Sequence, residues 1–75
     1  MNLKELIDWN KERAEECNRC AADARSEAND KRSSKFTREI KTLRAETLAK
    51  MAQRHTETVD ALSYLHFLRT GTHYG

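Results

Sequence analysis

The chain has no proline, and its only glycines are Gly71 and Gly75, so about seventy consecutive residues carry no strong helix breaker. A β-sheet would need turn residues at intervals that this stretch does not supply. The expected class is therefore all-α, and 75 residues are enough for one helical domain, 1–75, built as a two-helix antiparallel hairpin.

Asn2 followed by Glu5 has the spacing of a capping box, and Asp8 suits the positive end of a helix, so a first helix is predicted from about residue 3 to about 30. Along it Leu3, Ile7, Asn10, Ala14, Cys17, Ala21, Ala24 and Ala28 follow one another at alternating spacings of four and three, which holds them on one face. This seam opens with large residues, carries one polar residue at Asn10, and then consists of small ones that let another helix approach closely. Leu6, Trp9 and Cys20 widen it.

Six polar residues in a row, Asn29 to Ser34, are the candidate connector, although without glycine a bent or continuous helix through them is the alternative. Ser34 or Ser33 can cap a second helix over about 35–70. Its inner side is expected to hold Phe36, Ile40, Leu43, Leu48, Met51, Val59, Leu62 and Leu65; Ile40, Met51 and Leu62 recur at eleven residues, the period of a nearly straight helix. Arg69 and Gly71 mark its end, leaving a short tail, 71–75.

Seventeen large apolar residues and nine alanines make a thin core, and chains of this size often add a disulfide, a metal or a second copy. The net charge of +2 is unevenly spread: residues 1–30 carry five basic and eight acidic residues, residues 31–75 nine and four. Folding the chain back on itself lays an acidic helix on a basic one; a basic face meant for an external anion is the other reading.

Cys17-x-x-Cys20 and the histidines His55, His66 and His73 are the candidate metal ligands, but the cysteines sit inside a helical pattern and the histidines are spaced by eleven and seven, without the short second pair of a zinc site. A redox dithiol belongs at a helix N-terminus, which this is not. Small buried residues are the better reading of both cysteines, and no metal or cofactor is called for. No glycine-rich phosphate loop or nucleophile–base–acid arrangement is present, so catalysis is not expected.

Two patterns point towards nucleic acid. Asn18, Arg19, Ala21 and Ala22 resemble the base-reading helix of basic leucine-zipper proteins, but Arg25-Ser26 is in the reverse order, Glu15, Glu16, Asp23 and Glu27 would oppose phosphates, and no zipper follows. Lys31, Arg32, Lys35, Arg38, Lys41 and Arg44 recur every few residues and form a candidate phosphate-tracking stripe, giving a nucleic-acid-binding hairpin as the alternative function.

The run from Val59 to Gly75 has more large apolar residues than an alanine-rich seam can bury. With the N-terminal cluster beside it, Leu3, Leu6, Ile7, Trp9, Leu62, Tyr64, Leu65, Phe67 and Leu68 form the candidate protein interface. A homodimer, a four-helix bundle in one form, and an unidentified protein partner are the expected associations. No apolar stretch approaches the roughly 20 residues of a membrane span, and no signal peptide is legible, so a cytoplasmic protein without a membrane partner is expected. In character the chain resembles the small accessory proteins of temperate-bacteriophage early regions, being short, proline-free, densely charged and helical. The resemblance implies a non-enzymatic protein that regulates host or phage machinery in the host cytoplasm by binding it.

Overall fold

The computed structural model describes residues 2–71, so His73 and the tail after Gly71 lie outside the described residues. Two helices, α1 (Leu3–Ala28) and α2 (Lys35–Thr70), pack antiparallel as a hairpin. The hairpin is 53 × 18 × 13 Å, its length set by the 36 residues of α2.

Side chains start both helices. Asn2 Oδ1 accepts from the Glu5 N–H at 2.8 Å, while its Nδ2 donates to Glu5 Oε1 at 3.2 Å; Glu5 thus reaches back to the cap's side chain instead of its backbone. Ser34 Oγ accepts from the Thr37 N–H at 3.2 Å. At the far end Gly71 adopts a left-handed φ of 75° and its N–H donates to the Phe67 carbonyl at 2.7 Å. The threonines of α2 remain helical partly because Thr42, Thr56, Thr58 and Thr70 each donate a hydroxyl proton to the carbonyl four residues earlier.

The chain breaks at 29–34, and it turns without any left-handed residue. The Asn29 N–H donates back to Arg25 and the Asp30 N–H to Glu27. The Asp30 carboxylate then accepts from the Arg32 backbone N–H at 2.9 Å and from its guanidinium at 3.3 Å, and the Ser33 N–H returns to the Asp30 carbonyl at 3.1 Å. An aspartate side chain makes here the bonds for which a glycine turn would use backbone alone.

The α1 seam packs as its spacing predicts: Ile7, Asn10, Ala14, Cys17, Ala21, Ala24 and Ala28 are buried, and Leu3 is half-buried. The α2 seam is different from the expected one. Its closest positions are Ala45 and Ala52, both buried, continued by half-buried Lys41, Leu48, His55, Val59, Leu62 and His66, again at alternating spacings of four and three. Leu48, Val59 and Leu62 belong to it, whereas Phe36, Ile40, Leu43, Met51 and Leu65 are exposed. Alanines and a cysteine on α1 bring the helices close, and α2 must answer with its own small residues; a ridge with Phe36 and Leu43 would hold the helices apart. Ile7 is the one large side chain wholly buried among the described residues.

Asn10 faces His55 and Glu27 faces Lys41, which fixes the register. Leu3 then comes level with Leu62, and the last turns of α2, about two, project beyond the start of α1.

Candidate interaction surface

Heptad spacing on α2 is met twice, on opposite sides. One stripe is the seam; the other comprises positions 36, 40, 43, 47, 50, 54, 57, 61, 64 and 68, all of them exposed. Its apolar members are Phe36, Ile40 and Leu43 near the connector and Ala61, Tyr64 and Leu68 near the C-terminal end. Phe36 is 72% exposed, Leu43 60%, Tyr64 63% and Leu68 61%, values that leave most of each side chain in water.

The residues expected at the protein interface are not all on one surface. Ile7 is completely buried against α2 and so leaves the contact surface for the core. Leu3, Leu6, Leu62 and Phe67 are half-buried at the same end of the hairpin. Trp9, Tyr64, Leu65 and Leu68 are exposed there, partly because α2 overhangs α1. The Trp9 indole meets the His55 imidazole edge to face, with centroids 5.6 Å apart and planes at 76°.

The six basic residues proposed for phosphate contact are divided by their neighbours. Lys41 Nζ lies 2.6 Å from Glu27 Oε2 across the hairpin, and Arg32 is bonded to Asp30. Arg44 shares a shallow hollow with Cys20, Asp23, Glu27 and Lys41. Lys31, Lys35 and Arg38 are exposed around the tip. Arg32, by backbone and side-chain hydrogen bonds, and Arg38, through its charge, hold the Asp30 carboxyl below its ordinary range. On the outer side of α1, by contrast, Glu5, Glu12, Glu15, Glu16 and Asp23 are exposed with Arg19 among them.

The polar layer in the seam joins Asn10, 4% exposed, to His55. Asn10 Nδ2 donates to the Leu6 carbonyl at 2.9 Å, which directs Oδ1 to His55 Nδ1 at 2.9 Å. An amide oxygen only accepts, so Nδ1 of His55 carries the proton. Spacing along the chain presents His55 only as a candidate ligand; its place opposite Asn10 depends on the alignment of the two helices. Laying the two heptads antiparallel reveals the pair.

Cys17 is buried in the seam and Cys20 is half-buried at its edge, both as free thiols. Ala21 is buried while Asn18, Arg19 and Ala22 are exposed, so the helix presents the zipper-like residues on different faces. His66 packs beside Thr70, whose hydroxyl donates to the His66 carbonyl at 2.8 Å. Among the described residues no three His, Cys, Asp or Glu side chains gather as metal ligands, and no helix is long and apolar enough to cross a membrane.

Comparisons with protein-family models, with curated proteins and with solved structures find no match to the chain.

Proposed function

We propose that the chain is a non-enzymatic protein-interaction module that works as a homodimer and regulates a second protein by binding it, in the manner of small bacteriophage accessory proteins. The observation that carries this reading is the apolar surface outside the hairpin, led by Phe36, Leu43, Tyr64 and Leu68. The core adds a reason for association, since it is made chiefly of alanine, and a core of that kind supplies little of the burial that stabilises a domain. The phage comparison is supported by the chain's small size, lack of proline and high charge content, and points to a host or phage protein as the regulated partner.

The nucleic-acid reading has less behind it, because Lys41 and Arg32 are occupied by Glu27 and Asp30. Lys31, Lys35 and Arg38 would carry it, through binding that falls steeply with salt.

Sedimentation of the wild type and of Leu68→Asp tests the proposal. The wild type is expected to sediment as a dimer at high micromolar concentration and the variant as a folded monomer. A wild-type chain that remains monomeric removes the dimer, and a shift of structured RNA or duplex DNA at low salt would favour the alternative.

A further inference from the structure

We infer that two copies join through the outer stripe of α2, with the two α2 helices antiparallel and centred on residue 52. This rests on the homodimer reading above and specifies the face, the direction and the register.

The first reason is the arrangement of the stripe. Its apolar residues stand in two clusters, Phe36, Ile40 and Leu43 at one end and Ala61, Tyr64 and Leu68 at the other, all exposed. Between them lie Thr47, Lys50, Arg54 and Glu57. The clusters are equidistant from residue 52. Antiparallel pairing about that point brings Phe36 to the partner's Leu68, Ile40 to the partner's Tyr64 and Leu43 to the partner's Ala61. A bulky residue thus meets a smaller one at Leu43; in the polar middle Thr47 meets the partner's Glu57 and Lys50 the partner's Arg54, a like-charge contact that the apolar clusters on either side have to outweigh. Sliding the pair by one heptad would set Lys50 or Arg54 under an apolar residue, so the two clusters define the register.

Charge decides the direction. A parallel pair would put the basic tip, with Lys31, Arg32, Lys35 and Arg38, beside the same tip of the second copy. The antiparallel pair moves each tip to the last turns of the partner's α2, where Arg69 is the one Lys, Arg, Asp or Glu among the described residues, and so keeps the two basic tips apart. Charge also selects the helix. Pairing α1 through its outer side would bring Glu5, Glu12, Glu16 and Asp23 of the two copies together, with Arg19 on that side and Arg13, already paired to Glu16, to offset them.

Area is adequate. An aromatic side chain carries about 150–250 Å² of surface. Phe36 and Tyr64 are mostly exposed, and with the leucines and Ile40 the stripe offers several hundred Å² per copy, the scale of the roughly 800 Å² per partner that stable dimers bury. Trp9, on α1, stays outside this pairing and is open to a different protein.

Disulfide trapping tests the inference. In a chain with Cys17→Ala and Cys20→Ala, which suit the alanine seam, Leu43→Cys and Ala61→Cys are placed in separate copies, mixed and oxidised. The mixture is expected to form a cross-linked dimer. Either variant alone should not, because in this arrangement position 43 lies about 27 Å from its equivalent along the helix axis. Cross-linking of Leu43→Cys to itself would overturn the antiparallel direction while leaving the dimer standing. No cross-link in the mixture, with sedimentation still reporting a dimer, would overturn the face. A monomer in sedimentation, before any cysteine is introduced, would remove the homodimer reading itself. Circular dichroism of each variant verifies that the hairpin is intact.

Discussion

Asn10 Oδ1 and His55 Nδ1 meet 2.9 Å apart across the hairpin, joining a buried amide to an imidazole in a seam made otherwise largely of small and aliphatic side chains. A polar pair at such a position stabilises less than an apolar one, yet it permits only those alignments in which both partners are satisfied. Asn10→Ala should therefore cost about 1–3 kcal/mol, because the His55 N–H loses its acceptor. Asn10→Leu with His55→Leu should recover stability and lose uniqueness, since either heptad could then slide along the other. Urea titration reads the first effect and amide resonances the second. A doubly substituted chain with one sharp set of resonances would show that the pair does not determine the register.

Neighbouring alanines should respond oppositely to enlargement. Ala21 is 2% exposed and Ala22 lies in water, so Ala21→Leu should cost about 1–3 kcal/mol while Ala22→Leu changes stability by less than about 0.5 kcal/mol. Thermal unfolding of the two variants measures the difference. Equal effects would mean that the helices are not as close at Ala21 as the packing requires.

The connector should make stability sensitive to acid. Asp30 is held below its ordinary value of 3.8, so over the interval between the two values the folded chain binds fewer protons than the unfolded chain. Its contribution is complete above 3.8 and is lost as pH falls through the lowered folded value. Asp30→Asn keeps an acceptor for the Arg32 N–H without the titration. Unfolding midpoints followed below pH 5 should fall less steeply for this variant than for the wild type, and parallel curves would remove Asp30 as the cause.

Gly71 closes α2 at φ 75°, and although there is open space around its Cα, an L side chain there is strained. Gly71→Ala should cost about 1–2 kcal/mol locally and fray the last turn. Faster amide exchange near Arg69, with exchange near Ala45 unchanged, is the expected signature.

Residue spacing made α1 legible because its small residues occupy one face and nothing on the other sides competes with them. The three caps and the break at 29–34 are equally legible, since Asn2, Ser34 and Gly71 act through local bonds that sequence neighbours determine. On α2 the large apolar residues belong to more than one face: Leu48, Val59 and Leu62 lie in the seam and Phe36, Ile40 and Leu43 on the outer side. Hydropathy ranks Phe36 and Leu43 above Ala45 and Ala52, but the choice was made by α1, whose alanines admit only a close neighbour. That is a property of the pair, and it becomes visible once the two helices are set against each other. The exposed apolar surface is partly legible for the same reason: an excess of apolar residues near the C-terminal end shows in the sequence, whereas the loss of Ile7 to the core depends on the register.

Cys17 and Cys20, three positions apart, differ in what solvent can do to them. A thiol reagent can reach the half-buried sulfur in the native hairpin, while the buried one must wait for the helices to part. The ratio of their labelling rates is thus a built-in stopwatch for opening, and under conditions where reclosing outpaces labelling it yields the opening equilibrium without denaturant.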